Sequence, residues 1–345
     1  MKTPPLFLLL IILFVISSCQ TVSLVLEEPV AEKIDQIPPG MSEAEGATLN
    51  SLEQIDPFPL YTMVYKADYS QAAADDLIGE ESVMSWACSL FAVMGDPEDM
   101  FFGRNFDWDF SPALLLFTDP PDGYASVSMV DIDYLGYGEE KAFGLTDLPL
   151  SERSGLLDAP YLPFDGMNEA GLAVGMAAVS PGGMEHDPEK ETIDSLLVIR
   201  EILDRAATVD EAIAILESYN IDWGSGPPLH YLIAEKSGKS ALVEFSQGEM
   251  AVIPNRDPWQ TATNFLVSET GASAEGSCWR YDLILEQLRE GNGQLNPGQA
   301  LNLLGEVAQE STQWSVVYGI SAGEVRVVMG GDHGNPHLLD ISHGK

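Results

Sequence analysis

The sequence predicts an α+β body in which two antiparallel sheets are flanked by helices on their outer sides. Three observations predict it. Strand-like runs come first and return twice, helical patterns occur in two adjacent pairs, and no Gly-rich phosphate loop follows any strand. A doubly wound parallel sheet would instead alternate strand and helix one for one.

Taken in order, residues 20–56 carry Pro, Glu, Asp and Ser with little periodicity and read as a tether. Order is expected to begin near Pro59, in the β-rich run 59–65. Apolar runs at 84–94, 100–108, 113–117, 125–132 and 172–179 are the next strands. Leu196, Ile199, Leu203 and Ala206 recur at helical spacing and predict a helix over 193–206. Thr208 and Glu211 form the capping box of a second helix over 209–219. Residues 230–234 and 241–245 pair as a hairpin across Ser237-Gly238-Lys239. Helices follow over 279–289 and from Asn296, a cap with Pro297 at the first helical position. A last hairpin joins 314–318 to 325–328 across Ala322-Gly323. Met167 and Met176 sit on strand-like segments and read as core.

Composition narrows the function. Against 16 Lys+Arg stand 54 Asp+Glu, a formal net charge of −38. Phosphate recognition needs a basic surface, so nucleic acid is excluded as a partner. The 45% hydrophobic content, with aromatics spread along all 345 residues, equally excludes a disordered acidic chain and provides for a sizeable core.

The N-terminus reads as an address. Met1 and Lys2 precede an apolar run over 6–16, too short to span a bilayer and suited to a signal peptide. It ends in Ile16-Ser17-Ser18-Cys19, which resembles a bacterial lipobox. The expectation is an exported protein of the bacterial cell envelope, anchored to the membrane by a lipid on Cys19. An ordinary secretory signal with an incidental Cys19 is the alternative. Cys88 and Cys278 remain, and outside the cytoplasm a disulfide between them is the plain alternative to any reactive thiol.

The chemistry gathers near Cys88. Two apolar strands separated by the turn Gly95-Asp96-Pro97-Glu98-Asp99 form a hairpin that can return Arg104 and Asp107 to the side of Cys88. A guanidinium near a thiol favours the thiolate and so the nucleophile. Without more, Arg104 and Asp107 read equally as a surface pair.

Cys88-Ser89 with Gly103-Arg104-Asn105-Phe106-Asp107-Trp108 resembles the N-terminal-nucleophile (Ntn) cysteine hydrolases. These include choloylglycine (bile salt) hydrolases, penicillin V acylases, acid ceramidase and N-acylethanolamine acid amidase. The segments Asp165-Gly166-Met167-Asn168-Glu169-Ala170-Gly171-Leu172, Thr263-Asn264, Ser277-Cys278-Trp279-Arg280-Tyr281 and Thr312-Gln313-Trp314-Ser315-Val316-Val317-Tyr318 resemble them too, in the same order. The resemblance implies a four-layer αββα sandwich. It implies that Cys88 is the nucleophile and is freed as an N-terminus by cleavage of Ala87–Cys88. The new α-amine, titrating near ~7.7–8.0, then serves as general base, so no histidine and no cofactor is needed. Arg104 would stabilise the thiolate, Asp107 orient the ammonium, Asn168 and Asn264 line the oxyanion hole, and Arg280 support the site. The plain alternatives are turn residues for Asn168 and Asn264 and a helix-face charge for Arg280.

The implied organisation is a signal peptide over 1–18, a tether over 19–57, an upstream segment over 58–87 that is a propeptide or small subunit, and a catalytic domain over 88–345. The implied partner is a small-molecule N-acyl amide. Bile-salt conjugates, penicillin V, N-acyl homoserine lactones and N-acyl lipids all remain open. Trp108, Phe110, residues 114–117 and Trp223 are candidate walls for an apolar acyl group. Rival readings are an inactive ligand-binding lipoprotein, an acyltransferase using the same acyl-enzyme, a papain-like enzyme using His230, and a metal site at Asp332, His333 and His337.

Overall fold

Ser42 accepts from the Glu45 N–H while Glu45 returns the bond, a capping box that starts α1 (Glu43–Asn50). Order therefore begins before Pro59, inside the stretch read as a tether. The helix is defined by its cap and by burial of Leu49 rather than by an apolar stripe, which is why periodicity missed it. The computed structural model describes residues 35–69, 87–224, 226–270 and 273–344. The signal peptide, Cys19 and residues 84–86 of the first long strand lie outside them.

Strands β1 (Glu53–Asp56) and β2 (Leu60–Tyr65) follow α1, and β3 (Ala87–Val93) turns into β4 (Phe101–Asp107) as the expected hairpin. Next come β5 (Ala113–Thr118), β6 (Ser126–Asp131), a run of 3-10 turns, β7 (Asp165–Asn168) and β8 (Leu172–Ala178). The first expected central helix is shorter than predicted. Ile193 belongs to β9 (Glu191–Asp194), and α2 (Leu197–Arg205) starts after it. After α3 (Val209–Ser218), β10 (Tyr219–Asp222) returns to pair in parallel with β9, a contact that no local pattern announces. The remainder is β11 (Leu229–Glu235), β12 (Ser240–Ser246), β13 (Glu249–Pro254), β14 (Trp259–Ala262), α4 (Trp279–Glu290), α5 (Pro297–Glu306), β15 (Thr312–Gly319), β16 (Glu324–Met329) and β17 (His337–Asp340).

Beside the two-stranded β9–β10 sheet, two main sheets result, one in the order β1-β2-β5-β6-β7-β8-β11-β12-β13 and one in the order β14-β3-β4-β15-β16-β17. They are antiparallel except where β2 runs parallel to β5. Helices α2 and α3 cover the large sheet over β7, β8, β11 and β12. Helices α4 and α5 cover the small one over β3, β4, β14 and β15, and β3 and β4 face β8 between the sheets. This is the four-layer αββα arrangement.

Strand alternation decides what each side chain meets. Cys88, Leu90, Ala92, Phe102 and Phe106 enter the core between the sheets, whereas Phe91, Val93 and Phe101 pack with Ile284, Leu288 and Leu301 under α4 and α5. Gly103 lies against the Phe91 ring so closely that a Cβ would overlap it, so the hairpin that presents Cys88 requires glycine there.

Asp131 ends β6 and accepts from the Asp133 N–H at 3.0 Å. Its burial pushes its pKa up to about 7 despite help from Ser111 and that N–H. The folded state thus holds a proton that the unfolded chain has released. Stability should fall as pH rises from about 4 to about 7, by on the order of 4 kcal/mol from this group. Urea unfolding at pH 5 and pH 8 should show Asp131→Asn stabilising at the higher pH and much less at the lower. An equal effect at both would remove the explanation.

Candidate active site

Cys88 is the second residue of β3, and the register Cys88–Phe106 and Leu90–Arg104 puts its thiol and the Arg104 guanidinium on the inner face. Arg104 Nη2 lies 3.8 Å from Cys88 Sγ and 3.7 Å from Met176 Sδ. Cys88 is 3% exposed and Arg104 fully buried. A buried guanidinium needs a counter-charge, and Asp165 on β7 supplies it, its carboxylate also accepting from the Tyr318 hydroxyl. Burial opposes the charge on Arg104, but Asp165 and Cys88 outweigh it, and the guanidinium is held above its ordinary range. Burial pushes the Cys88 thiol up, Arg104 draws it down and Asp107 pushes it up again, with a net upward shift.

The other face of β3 carries a second set of groups. Asp107 pairs across the strands with Ala87 and is fully buried. Its Oδ1 accepts from the Thr312 hydroxyl. Its Oδ2 accepts no hydrogen bond among the described residues and faces Arg280 Nη1 at 3.8 Å. Burial raises its pKa to about 6, against the Thr312 bond, Arg280 and Arg104. Arg280, in the first turn of α4, donates through Nη1 to the Cys88 carbonyl and to Ser89 Oγ at 2.9 Å. Its Nη2 reaches Asn264 Oδ1 at 3.0 Å.

Asn264 bridges the two sheets. Its Oδ1 accepts from the Cys88 N–H at 2.6 Å, and its Nδ2 donates to the Ala178 carbonyl, at the end of β8, at 2.8 Å. The orientation is dictated by this network, because a flipped amide would set donor against Arg280 and acceptor against Ala178.

Five of the predicted residues, Cys88, Arg104, Asp107, Asn264 and Arg280, are thus in one cluster. Asn168 is not. Its Nδ2 donates to the Leu203 and Ala206 carbonyls and its Oδ1 accepts from the Leu172 N–H, so it ties the end of α2 to the β7–β8 turn on the helix side of the large sheet. Asp165 and Asn168 lie three positions apart, an odd spacing, and strand alternation sends them to opposite faces. Asp165 is the residue that motif reading overlooked. Its signal was present, since a buried Arg104 requires a carboxylate and Asp165 opens the same motif as Asn168.

Other expectations also resolve. Cys88 and Cys278 are both free thiols. His230 is paired with Glu244 rather than with Cys88. His333 meets Ser315 Oγ at 3.2 Å and His337 meets Asp56 at 2.6 Å. Residues 114–117 are fully buried core of β5, and the half-buried Trp223 packs on Phe245. Trp108 stacks at 6.2 Å on Phe106, the cross-strand partner of Cys88.

A family model for acyl-coenzyme A:6-aminopenicillanic acid acyl-transferase matches residues 163–287, a span with Asp165, Asn264 and Arg280 but not Cys88. Among solved structures, penicillin V acylase from Agrobacterium tumefaciens superposes with a TM-score of 0.52 at 18% identity, over 74% of this chain and 86% of that one. A mutant of conjugated bile acid hydrolase from Clostridium perfringens gives 0.53 at 16% identity, over 75% and 93%. A second variant of that hydrolase gives 0.53 at 15%, over 75% and 94%. The fold is that of the Ntn hydrolases. The resemblance read from the motifs is therefore borne out. In this chain, α1, β1 and β2 precede the candidate nucleophile, and both strands join the large sheet.

Proposed function

We propose that this protein is an Ntn hydrolase, an amidase that cleaves a linear C–N amide of a small N-acyl substrate through a thioester on Cys88. It frees Cys88 by cutting Ala87–Cys88, and it is exported and lipid-anchored through Cys19. One observation carries the reading: the nitrogen, carbonyl and sulfur of Cys88 are each met by a different polar side chain, the two arginines among them buried. Asn264 takes the N–H, Arg280 the carbonyl, and Arg104 faces the sulfur. A structural cysteine needs none of these.

In the activating step the Cys88 sulfur attacks the Ala87 carbonyl carbon, the C–N bond breaks, and the thiol proton passes to the departing nitrogen. Water then hydrolyses the thioester, leaving an Ala87 carboxylate and a Cys88 that carries both thiol and α-amine. Asp107 Oδ2, which accepts no hydrogen bond among the described residues, is a ready acceptor for the new ammonium, and Asn264 Oδ1 is already at the nitrogen. In turnover the amine takes the thiol proton, the thiolate attacks the substrate carbonyl, and the amine product leaves with a proton from the ammonium. The second Nδ2 hydrogen of Asn264 is the side-chain donor for the oxyanion.

Penicillin V acylase and conjugated bile acid hydrolase support hydrolysis as the outcome. The family model supports a second reading, transfer of the acyl group to an amine, because its namesake is an acyl-transferase. Export rests on the apolar run 6–16 and the lipobox alone.

Intact mass and N-terminal sequencing of wild type beside Cys88→Ala tests the proposal. The wild type should yield a new N-terminus at Cys88, and the variant a single chain with no amidase activity. A wild type that turns over amides uncut would defeat the α-amine mechanism, and an uncut, inert one would favour a ligand-binding lipoprotein.

A further inference from the structure

A second buried group of titratable residues lies outside the cluster just described. Glu244 on β12 and His230 on β11 are both fully buried. Glu244 Oε1 accepts from the Val267 N–H at 2.8 Å and meets His230 Nδ1 at 3.3 Å, while Oε2 accepts from the Ser268 N–H at 2.8 Å. These two N–H groups open the 3-10 turn Val267–Glu269, which starts three residues after Asn264. The carboxylate thus caps the turn that leaves the active site. Burial works against its charge, but the bonds from His230 and Ser268 prevail and its pKa is lowered.

The same pair acts at the other anchor of Asn264. His230 lies opposite Ala177 of β8, and Leu229 lies opposite Ala178, whose carbonyl receives Asn264 Nδ2. Asn264 therefore hangs between a strand that pairs with the His230 strand and a turn held by Glu244. A carboxylate suits the Val267 and Ser268 N–H groups, because each of its two oxygens accepts one of them. An ionised Glu244 can only accept, so the imidazole supplies the third donor through Nδ1–H, and among the described residues Nε2 has no partner.

We propose that Glu244 and His230 are positioning residues that aim the Asn264 amide at the Cys88 nitrogen. They fix the turn after Asn264 and the strand before its second anchor, and they touch neither substrate nor nucleophile. The inference rests on the proposed self-cleavage at Cys88. Misplacement of a reacting group by about 1 Å costs on the order of a hundred-fold in rate.

The test is the rate of precursor cleavage in the full chain, followed by mass spectrometry, in wild type, Glu244→Gln, His230→Phe and His230→Asn. The Gln amide keeps the volume but turns one acceptor into a donor facing an N–H, and Phe removes the Nδ1 donor. Both should slow cleavage on the order of a hundred-fold. In His230→Asn the amide nitrogen can take the place of Nδ1 and should restore most of the rate. Melting of the same variants in the Cys88→Ala background reads folding separately, and 15N-histidine NMR of Cys88→Ala should show His230 protonated on Nδ1. Folded Glu244→Gln that cleaves at the wild-type rate, or a His230 protonated on Nε2 alone, overturns the inference. A wild type that never cleaves removes the proposed function, and this inference with it.

Discussion

Replacing Arg104 by Leu is expected to destabilise the protein by about 3–5 kcal/mol and to lower kcat/KM by at least on the order of a hundred-fold. The two losses have different origins. The stability loss comes from Asp165, whose carboxylate is buried and would be left with the Tyr318 hydroxyl in place of a full charge partner. The activity loss comes from Cys88, whose thiol already sits above its usual range and would lose the guanidinium that faces the sulfur. A triple change separates them. Arg104→Leu with Asp165→Leu and Tyr318→Phe removes every member of the buried polar set, and such replacements are commonly neutral or stabilising. Chemical denaturation should show stability recovered in the triple variant while amidase activity and reaction with thiol reagents stay low. Turnover at the wild-type level in Arg104→Leu would dismiss Arg104 as the thiolate partner.

A chain that begins at Cys88 should not fold. Leu49, Leu60, Tyr61 and Met63 are all fully buried and all lie upstream of the cut. Each contributes about 1.5–3 kcal/mol through burial alone, and removing β2 also uncovers the whole length of β5 along the large sheet. Polar ties add specificity. Tyr61 donates to the Ala142 carbonyl at 2.8 Å, Tyr65 to the Leu157 carbonyl at 2.9 Å, and Asp56 meets His337 of β17. Expression of residues 88–345 alone should give insoluble or molten protein, and co-expression with residues 35–87 should restore a cooperative melt. In the self-cleaved protein the upstream fragment should then survive native purification and separate only in denaturant. If 88–345 alone melts like the full chain, β1 and β2 are dispensable.

Much of the fold is legible in the residues. Hairpins β3–β4, β11–β12 and β15–β16 follow from apolar runs joined by short turns, and the caps at Thr208 and Asn296 are as predicted. These are local signals: period, turn chemistry and capping act within a few residues. Helix α1 and strand β1 escape such a reading because a cap and one or two buried leucines hold them, with no stripe to detect. The pairing of β2 with β5 and of β9 with β10 escapes it because both are parallel contacts between segments far apart along the chain.

The same division runs through the site. Cys88, Arg104 and Asp107 share one hairpin, so strand alternation and a turn are enough to bring them together. Asn264 and Arg280 are reachable only by resemblance, since their places depend on how β14 and α4 dock against β3. The motif does not tell Asp165 from Asn168, the two ends of one four-residue strand with opposite destinations. Which of them faces Cys88 depends on which side of the large sheet meets the small one, and that is set by the burial of both faces together. Period alone states that the two residues diverge; packing of the sheets sends Asp165 to the guanidinium and Asn168 to the helix.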